Sequence, residues 1–169
     1  MIILIIILII FSSPDQLSTQ ELANQQKGKN NVFLLLKENY SRYKQGEFDK
    51  KIILDNSENI SLDSGFSGWN LASAFSLNFN DVAIPHFIYS DQDNETIFAA
   101  KFPFKTENGE GEFSLSDDLI KYLKDRNCFS VRQDGIIYLL RLYENHIGGF
   151  VIEKPKRAIF LQICSSEPD

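Results

Sequence analysis

The sequence predicts an α+β domain with a mostly antiparallel β-sheet, an N-terminal amphipathic helix and one further helix, preceded by an apolar N-terminal segment. Three observations predict this class: apolar residues recur at helical spacing early in the chain, they alternate at a spacing of two from about residue 51 onward, and turn residues separate the alternating stretches. The order helix, strands, helix, strands is typical of α+β proteins. With 169 residues, of which 43% are hydrophobic, the chain is long enough to bury a core.

The chain begins with an apolar run, MIILIIILIIF, that starts at Met1 and ends at Phe11. A helix of this length spans about 17 Å, which is too short for the ~30 Å hydrocarbon core of a bilayer but fits the apolar centre of a signal peptide. Ser12, Ser13 and Pro14 supply small residues and a helix breaker behind it, although no Lys or Arg precedes it. We therefore expect residues 1–13 to be an export or anchor segment that contacts the membrane.

Two other interpretations of this run stay open. Its β-branched isoleucines also suit a central strand buried on both faces, which would place the protein in the cytoplasm. The run, with Pro14 and the Gln-rich stretch behind it, also resembles the second half of the N-terminal helix of type IV pilin-like proteins, without that family's Gly, Phe and Glu. This resemblance implies a minor assembly subunit with a truncated N-terminus.

A polar, Gln- and Asn-rich stretch covers residues 14–31, and we expect it to form a tether. Behind it, apolar side chains spaced three and four apart predict an amphipathic helix that ends near Gly46: Val32, Phe33, Leu36, Tyr40 and Tyr43. Residues 32–169 are then expected to form a single α+β domain.

Strands of period two follow the first helix, and their candidates are residues 51–54, 60–62, 75–79, 84–89 and 96–106. Asn80-Asp81 ends one of them in a turn. Asn108-Gly109 predicts a type I′ turn, because both central residues of such a turn need positive φ and these residue types tolerate it. We expect this turn to fold the strand at 96–106 back onto residues 111–115.

The second helix is predicted to begin after Ser116, because Asp117 and Asp118 suit the positive end of a helix dipole, and to end near Asn127. Beyond it the sequence predicts an antiparallel meander with turns at Asp134-Gly135 and at Gly148-Gly149. Its strands are expected at residues 128–132, 136–143, 150–153 and 158–164.

The charge argues against one class of partner. The formal net charge is −6, and nucleic-acid affinity depends largely on Lys and Arg that displace counterions from phosphates. We therefore expect no nucleic acid to bind, and the partner to be another protein.

The sequence contains no complete catalytic motif. Around Ser67, Gly65 matches the first glycine of a nucleophile elbow, but Trp69 stands where the second should be. His86 lies in an apolar strand, where it is expected to be a hydrogen-bonded core residue, and His146 is expected to be exposed in a turn. If the protein is an enzyme, its site is dispersed, and Ser67, Trp69, His86 and residues 91–95 are the first candidates.

Metal and cofactor motifs are also missing from the sequence. His86, Cys128, His146 and Cys164 are not paired at the short spacings of structural zinc sites. The acidic residues 91–95 lack the glycine and the closing carboxylate of a calcium loop, and no phosphate-binding or dinucleotide-binding motif occurs. We expect neither a metal nor a cofactor.

Two modifications are suggested by the residue types. Cys128 and Cys164 open and close the predicted meander, and they would form a disulfide in an exported protein or remain two buried thiols in a reducing compartment. Asn39, Asn59 and Asn94 each begin an Asn-x-Ser/Thr triplet, which is a glycosylation acceptor only in a eukaryotic secretory pathway.

These observations favour an exported or membrane-tethered, non-catalytic binding or assembly domain in the cell envelope or outside the cell. Three alternatives stay open: a pilin-like minor subunit, a cytosolic interaction or toxin-neutralising (immunity-type) protein whose acidic surface meets a basic partner, and a small enzyme with a dispersed site.

Overall fold

A six-stranded antiparallel sheet forms the centre of the protein in a computed structural model that describes residues 31–48, 67–103, 113, 115–143, 146–154 and 157–165. Its strands are β1 Asn70–Phe79, β2 Val82–Ser90, β3 Thr96–Pro103, β4 Cys128–Gln133, β5 Ile136–Leu142 and β6 His146–Ile152. The described helices are α1 Val32–Lys44, α2 Asp117–Arg126 and α3 Arg157–Ser165. The predicted α+β class is confirmed, and the described residues contain three helices where the sequence predicted two.

The strand order in the sheet is β1-β2-β3-β6-β5-β4. Each half of the domain is a helix followed by a three-stranded antiparallel meander, and the two halves join where β3 pairs with β6. In the chain, α2 connects β3 at the centre of the sheet to β4 at one edge. As a result β1 and β4 are the two edge strands of the described sheet.

Side-chain caps define where α1 and α2 begin. The Asn31 side chain accepts a hydrogen bond from the Leu34 backbone N–H at 3.1 Å, and the Ser116 hydroxyl accepts one from the Leu119 N–H at 3.3 Å. Asn127 ends α2 in the left-handed conformation, with φ 63°. The predicted start and end of the second helix are therefore confirmed.

The sheet buries apolar side chains on both faces. The face covered by α1 and α2, here the α1 face, holds the larger cluster, which includes Leu36, Phe98, Phe102 and Phe129. The opposite α3 face holds a second cluster, which includes Phe87, Ile97, Leu139 and Phe150 and is covered by α3. Strands β3, β5 and β6 read as nearly continuous apolar runs because both of their faces are buried.

Two predicted turns are confirmed. Asn80 and Asp81, between β1 and β2, have φ values of 47° and 65°. Asp134 and Gly135, between β4 and β5, have φ values of 52° and 82°. A two-residue turn with positive φ at both central residues has a twist that matches the right-handed twist of the flanking strands.

The turn predicted at Gly148-Gly149 is wrong, because both glycines lie inside β6. A Cβ atom built on Gly149 would lie 3.0 Å from Leu36 Cδ1, and one built on Gly148 would lie 2.7 Å from the Tyr143 ring. These glycines therefore allow α1 to approach one face of the strand and an aromatic ring to approach the other. The strand predicted at 150–153 accordingly begins earlier, at His146.

The strand predicted at residues 158–164 is also wrong, since this segment forms α3. Ile159 and Ile163, spaced one helical turn apart, are buried against the α3 face. Both sides of β6 are already paired, to β3 and to β5, so the segment that follows β6 cannot pair with β6 as a further strand. A short apolar run does not distinguish a strand from a buried helix by its periodicity.

Of the strand expected at residues 111–115, only Phe113 and Leu115 are among the described residues, and neither lies in a strand beside β3. The two sides of β3 are occupied by β2 and β6, and Phe113 and Leu115 lie outside any strand with their side chains in the α1-face core. The Asn108-Gly109 turn, the strands expected at 51–54 and 60–62, and residues 1–30 lie outside the described residues.

Candidate functional site

The residues proposed for a dispersed active site are brought together only in part. Ser67 and Trp69 directly precede β1 and residues 91–95 directly follow β2, at the end of the strand pair where Asn70 pairs with Ser90. Ser67 is exposed, and Trp69 packs against the α3-face cluster. The ring of His86 contacts Phe75 and Phe98 on the α1 face, so the sheet separates it from Trp69.

The loop at residues 91–95 closes on itself between β2 and β3. The Asp91 carboxylate accepts the backbone N–H groups of Asp93 and Glu95, at 3.0 Å and 2.9 Å. Its side chain therefore stabilises a tight turn, as Asp commonly does in such loops.

His86 is a fully buried histidine with both ring nitrogens bonded. Its Nδ1 lies 2.7 Å from the Ile84 carbonyl oxygen, which only accepts, so Nδ1 carries the proton. Nε2 is then the acceptor for the Asn39 side-chain amide, at 3.1 Å. Burial lowers the pKa of His86 to about 4, and the Ile84 hydrogen bond opposes this only in part. The imidazole is consequently neutral at pH 7, and the expectation of a hydrogen-bonded core histidine is confirmed.

The hydrogen bond between Asn39 and His86 also shows that one of the three glycosylation candidates is inaccessible in the folded protein. Asn39 is 6% exposed, and its amide nitrogen, the atom a glycan would modify, faces His86 inside the domain. The folded protein therefore offers no access to a glycosylating enzyme at Asn39. Asn94 is exposed in the β2–β3 loop and stays a candidate, whereas Asn59 lies outside the described residues.

Cys128 and Cys164 form a disulfide with their Cα atoms 5.4 Å apart. The bond joins the first residue of edge strand β4 to the C-terminal turn of α3. Of the two thiol states that the sequence leaves open, the structure has the disulfide. The disulfide holds α3 against the sheet.

A buried arginine stabilises the same end of α3. Arg141, in β5, is 1% exposed, and its Nη1 donates a 2.7 Å hydrogen bond to the Ile163 carbonyl oxygen. The carbonyls in the last turn of a helix carry partial negative charge, so a guanidinium there is favourable. A single charged residue in the otherwise apolar β5, IIYLLRL, is the sequence signal that could have predicted a buried, hydrogen-bonded Arg141.

Arg141 also begins a stack of three side chains on the α3 face. Its guanidinium carbon lies 4.7 Å from the centre of the Tyr143 ring, and that ring stacks on His146 with centroids 4.3 Å apart. His146 is partly buried at the start of β6, so its predicted exposed position in a turn is wrong. Burial, together with the positive charges of Lys101 and Arg141, lowers the pKa of His146 to about 4.

The stack packs against the start of β6. Tyr143 occupies the space left by Gly148, and the neutral imidazole of His146 continues the aromatic layer. Proton transfer at pH 7 calls for a group whose pKa lies near 7, and that of His146 is far below it.

A second polar cluster joins α1 to the end of β6. The Tyr40 hydroxyl donates a hydrogen bond to Glu153, and Lys44 Nζ lies 2.7 Å from the same carboxylate oxygen. The hydrogen bonds from Lys44 and Tyr40 hold the pKa of Glu153 below its usual value, while burial and the nearby carboxylate raise the pKa of Tyr40. At pH 7 the Glu153 carboxyl is therefore ionised and the Tyr40 hydroxyl neutral, and the bonds that Tyr40 and Lys44 make with Glu153 fix the helix on the sheet.

Among the described residues, no three His, Cys, Asp or Glu side chains are placed to hold a metal ion together. Of the helices in the described ranges, none has the length and apolar character needed to cross a membrane.

Comparison with protein-family models, with curated proteins and with solved structures finds no match for this chain.

Proposed function

We propose that this chain is an exported or membrane-tethered domain that binds another protein and catalyses no reaction. The disulfide between Cys128 and Cys164 carries the proposal. Disulfides persist in secreted and envelope proteins and are rare in reducing compartments.

The position of the disulfide supports its stabilising role. It joins two parts of the fold that are 36 residues apart in the chain, and it lies where α3 covers a face of the sheet. Cys128 is 8% exposed and belongs to the α3-face core. Cys164 is partly buried. A bond with one cysteine in the core and the other partly covered suits permanent cross-linking better than repeated thiol exchange, which needs an accessible sulfur.

The described ionisable groups support binding over catalysis. His86 is sealed in the core, and both histidines carry pKa values near 4, well away from neutral pH. Tyr40, Lys44 and Glu153 bond one another and join α1 to the sheet. In each case the packing of the domain accounts for the polar contacts.

The N-terminal sequence supplies the location in this proposal. The apolar run from Met1 to Phe11 would direct export or contact the membrane, and the polar residues 14–31 would tether the domain.

The test combines N-terminal sequencing of the natural protein with trapping of its thiols after cell fractionation. We expect the chain in the envelope or secreted fraction, either cleaved near residue 13 or intact and membrane-bound, with both cysteines resistant to alkylation. A Cys128→Ser, Cys164→Ser chain carried through the same procedure gives the signal for a protein without reactive thiols, and a reduced sample gives the signal for two free thiols.

An intact Met1 in a soluble cytosolic fraction, with two alkylated cysteines, would contradict the proposal and favour the cytosolic interaction protein. An in-frame Gly, Phe and Glu encoded upstream of Met1 would favour the pilin-like subunit, which is also exported.

A further inference from the structure

We infer that Arg141 is a positioning residue for the oxidation of Cys128 and Cys164: it holds α3 on the sheet before the cross-link exists, and it favours the thiolate form of Cys128. The disulfide then closes in a domain that is already folded. The inference goes beyond the proposed function, because it concerns how the bond forms and not where the protein is located.

Arg141 connects the sheet to the residue that precedes Cys164. Its Nη1 donates a 2.7 Å hydrogen bond to the carbonyl oxygen of Ile163, whose carbonyl carbon is bonded to the backbone nitrogen of Cys164. The guanidinium also lies against the Tyr143 ring, and the residue is 1% exposed. These contacts do not require the disulfide, so they keep Cys164 near Cys128 in the reduced protein.

Arg141 is also the cross-strand partner of Cys128. The two residues pair directly in the register of β4 and β5, so their side chains lie on the same face with Cβ atoms about 5 Å apart. Cys128 is 8% exposed, and burial in apolar surroundings raises the pKa of a thiol. A neighbouring guanidinium opposes this effect, because it stabilises the thiolate.

A second cation lies in the same row of the sheet. Lys101 of β3 and Arg141 of β5 both pair with Gly148, one on each side of β6. Their positive charges help to lower the pKa of His146, so a positive potential is present at this end of the α3 face. Cys128 ends the same row on β4, where that potential favours a thiolate.

The exposure of the two cysteines sets the order of the steps. Cys164 is partly buried, whereas Cys128 is buried, so Cys164 reacts first with a small disulfide such as oxidised glutathione. Its thiolate bonds one glutathione sulfur, and the other glutathione leaves as a thiolate. The Cys128 thiolate then attacks the Cys164 sulfur, and the second glutathione leaves as a thiolate. Two protein thiols are thereby oxidised, and the glutathione disulfide is reduced to two thiols that take up the protons.

The experiment follows the oxidation of the full, reduced chain by oxidised glutathione at pH 7, in a mild detergent that shields the apolar run. Samples are trapped with N-ethylmaleimide, and mass spectrometry separates the reduced chain, the glutathione adduct and the closed disulfide. The rate of closure is independent of the glutathione concentration, which distinguishes it from adduct formation.

Three variants test the roles of Arg141 and of the two cysteines. Arg141→Met should slow closure at least tenfold, so that the adduct on Cys164 accumulates. Arg132→Gln removes an exposed positive charge from β4 and should close at the wild-type rate. Cys128→Ser should stop at the adduct on Cys164.

A pH profile of the closure rate separates thiolate stabilisation from a general loss of packing. Between about pH 6 and 9 His146 stays neutral, and Asp125 and Arg126 at the end of α2 keep opposite charges, so the Cys128 thiol governs the rise in rate. Arg141→Met should move the midpoint of this rise to higher pH. Arg141→Lys keeps the charge and should leave the midpoint near that of the wild type.

Closure of folded Arg141→Met at the wild-type rate would overturn the inference, and so would equal slowing in Arg132→Gln. An unchanged midpoint in Arg141→Met would also overturn it, since loosened packing alone slows closure. Circular dichroism and urea unfolding of each reduced variant identify any loss of fold. If Arg141→Met does not fold, Arg141→Lys decides: it should close more slowly than the wild type, because an ammonium lacks the planar fork of a guanidinium, and closure at the wild-type rate would refute the positioning role.

Discussion

Loss of the Cys128–Cys164 bond should destabilise this domain more than most single changes. The two cysteines are separated by 36 residues, and closing a loop of that size in the unfolded chain corresponds to about 4 kcal/mol in the loop-entropy model. Domains of this kind are stable by roughly 5 to 15 kcal/mol, so the bond would supply a substantial fraction of the total.

The assay is equilibrium unfolding in urea, with and without reductant. With an m value of about 2 kcal/mol per molar, typical of small proteins, a loss of ~4 kcal/mol lowers the midpoint by about 2 M. The Cys128→Ala, Cys164→Ala variant should match the reduced wild type and should not respond to reductant.

An unchanged midpoint in wild-type protein whose two thiols have been shown to be reduced would refute this reasoning. A loss below about 1 kcal/mol would mean that the cross-link scarcely restricts the unfolded chain. Because Arg141 still bonds the Ile163 carbonyl, we expect α3 to remain helical in the reduced folded protein.

Three further changes test the packing of α1 on the sheet. Gly149→Ala forces a Cβ to within 3.0 Å of Leu36 and should cost about 1 to 3 kcal/mol in urea unfolding, with part of the loss recovered in a Gly149→Ala, Leu36→Ala double variant. The pKa of His86 is near 4 in the folded protein and has its ordinary value of 6.5 in the unfolded chain. As the pH drops from 6.5 to 4, the unfolded chain therefore binds the proton first. The free energy of unfolding should fall by up to ~3 kcal/mol over this range because of this group. His86→Gln should reduce that pH dependence in parallel urea titrations and leave the part that His146, whose pKa is also about 4, contributes; an equal slope in both proteins would contradict the assignment. Tyr40→Phe removes a hydrogen bond to Glu153 and should cost about 1.5 kcal/mol, with a rise in the pKa of the Glu153 carboxyl measured by NMR; an unchanged carboxyl pKa would contradict the assigned bond.

Local signals in the sequence predicted several elements correctly. Ser116 followed by two aspartates predicted the start of α2, and Asp134-Gly135 predicted the turn between β4 and β5. The alternation of Phe75, Leu77 and Phe79 predicted β1. Each signal depends on residues a few positions apart, whose caps, turns and side-chain periods act without the rest of the fold.

Signals that depend on distant residues were misread. Gly148-Gly149 was predicted to be a turn because glycine favours turns, whereas the close approach of Leu36, more than a hundred residues earlier, explains the absence of a side chain at Gly149. The surroundings of His146 were missed for the same reason, since Lys101 lies in another strand.

By itself the sequence determined the α+β class, the antiparallel character of the sheet and two of the helices. It also determined the one intramolecular disulfide that its two cysteines could form. Only the tertiary structure decided that β3 and β6 join the halves, that residues 157–165 form a helix, and that β1 and β4 lie at the edges of the described sheet. Local conformation follows from neighbouring residues, but the place of a strand in a sheet depends on which sites beside it are already filled. That is settled by contacts between residues far apart in the chain.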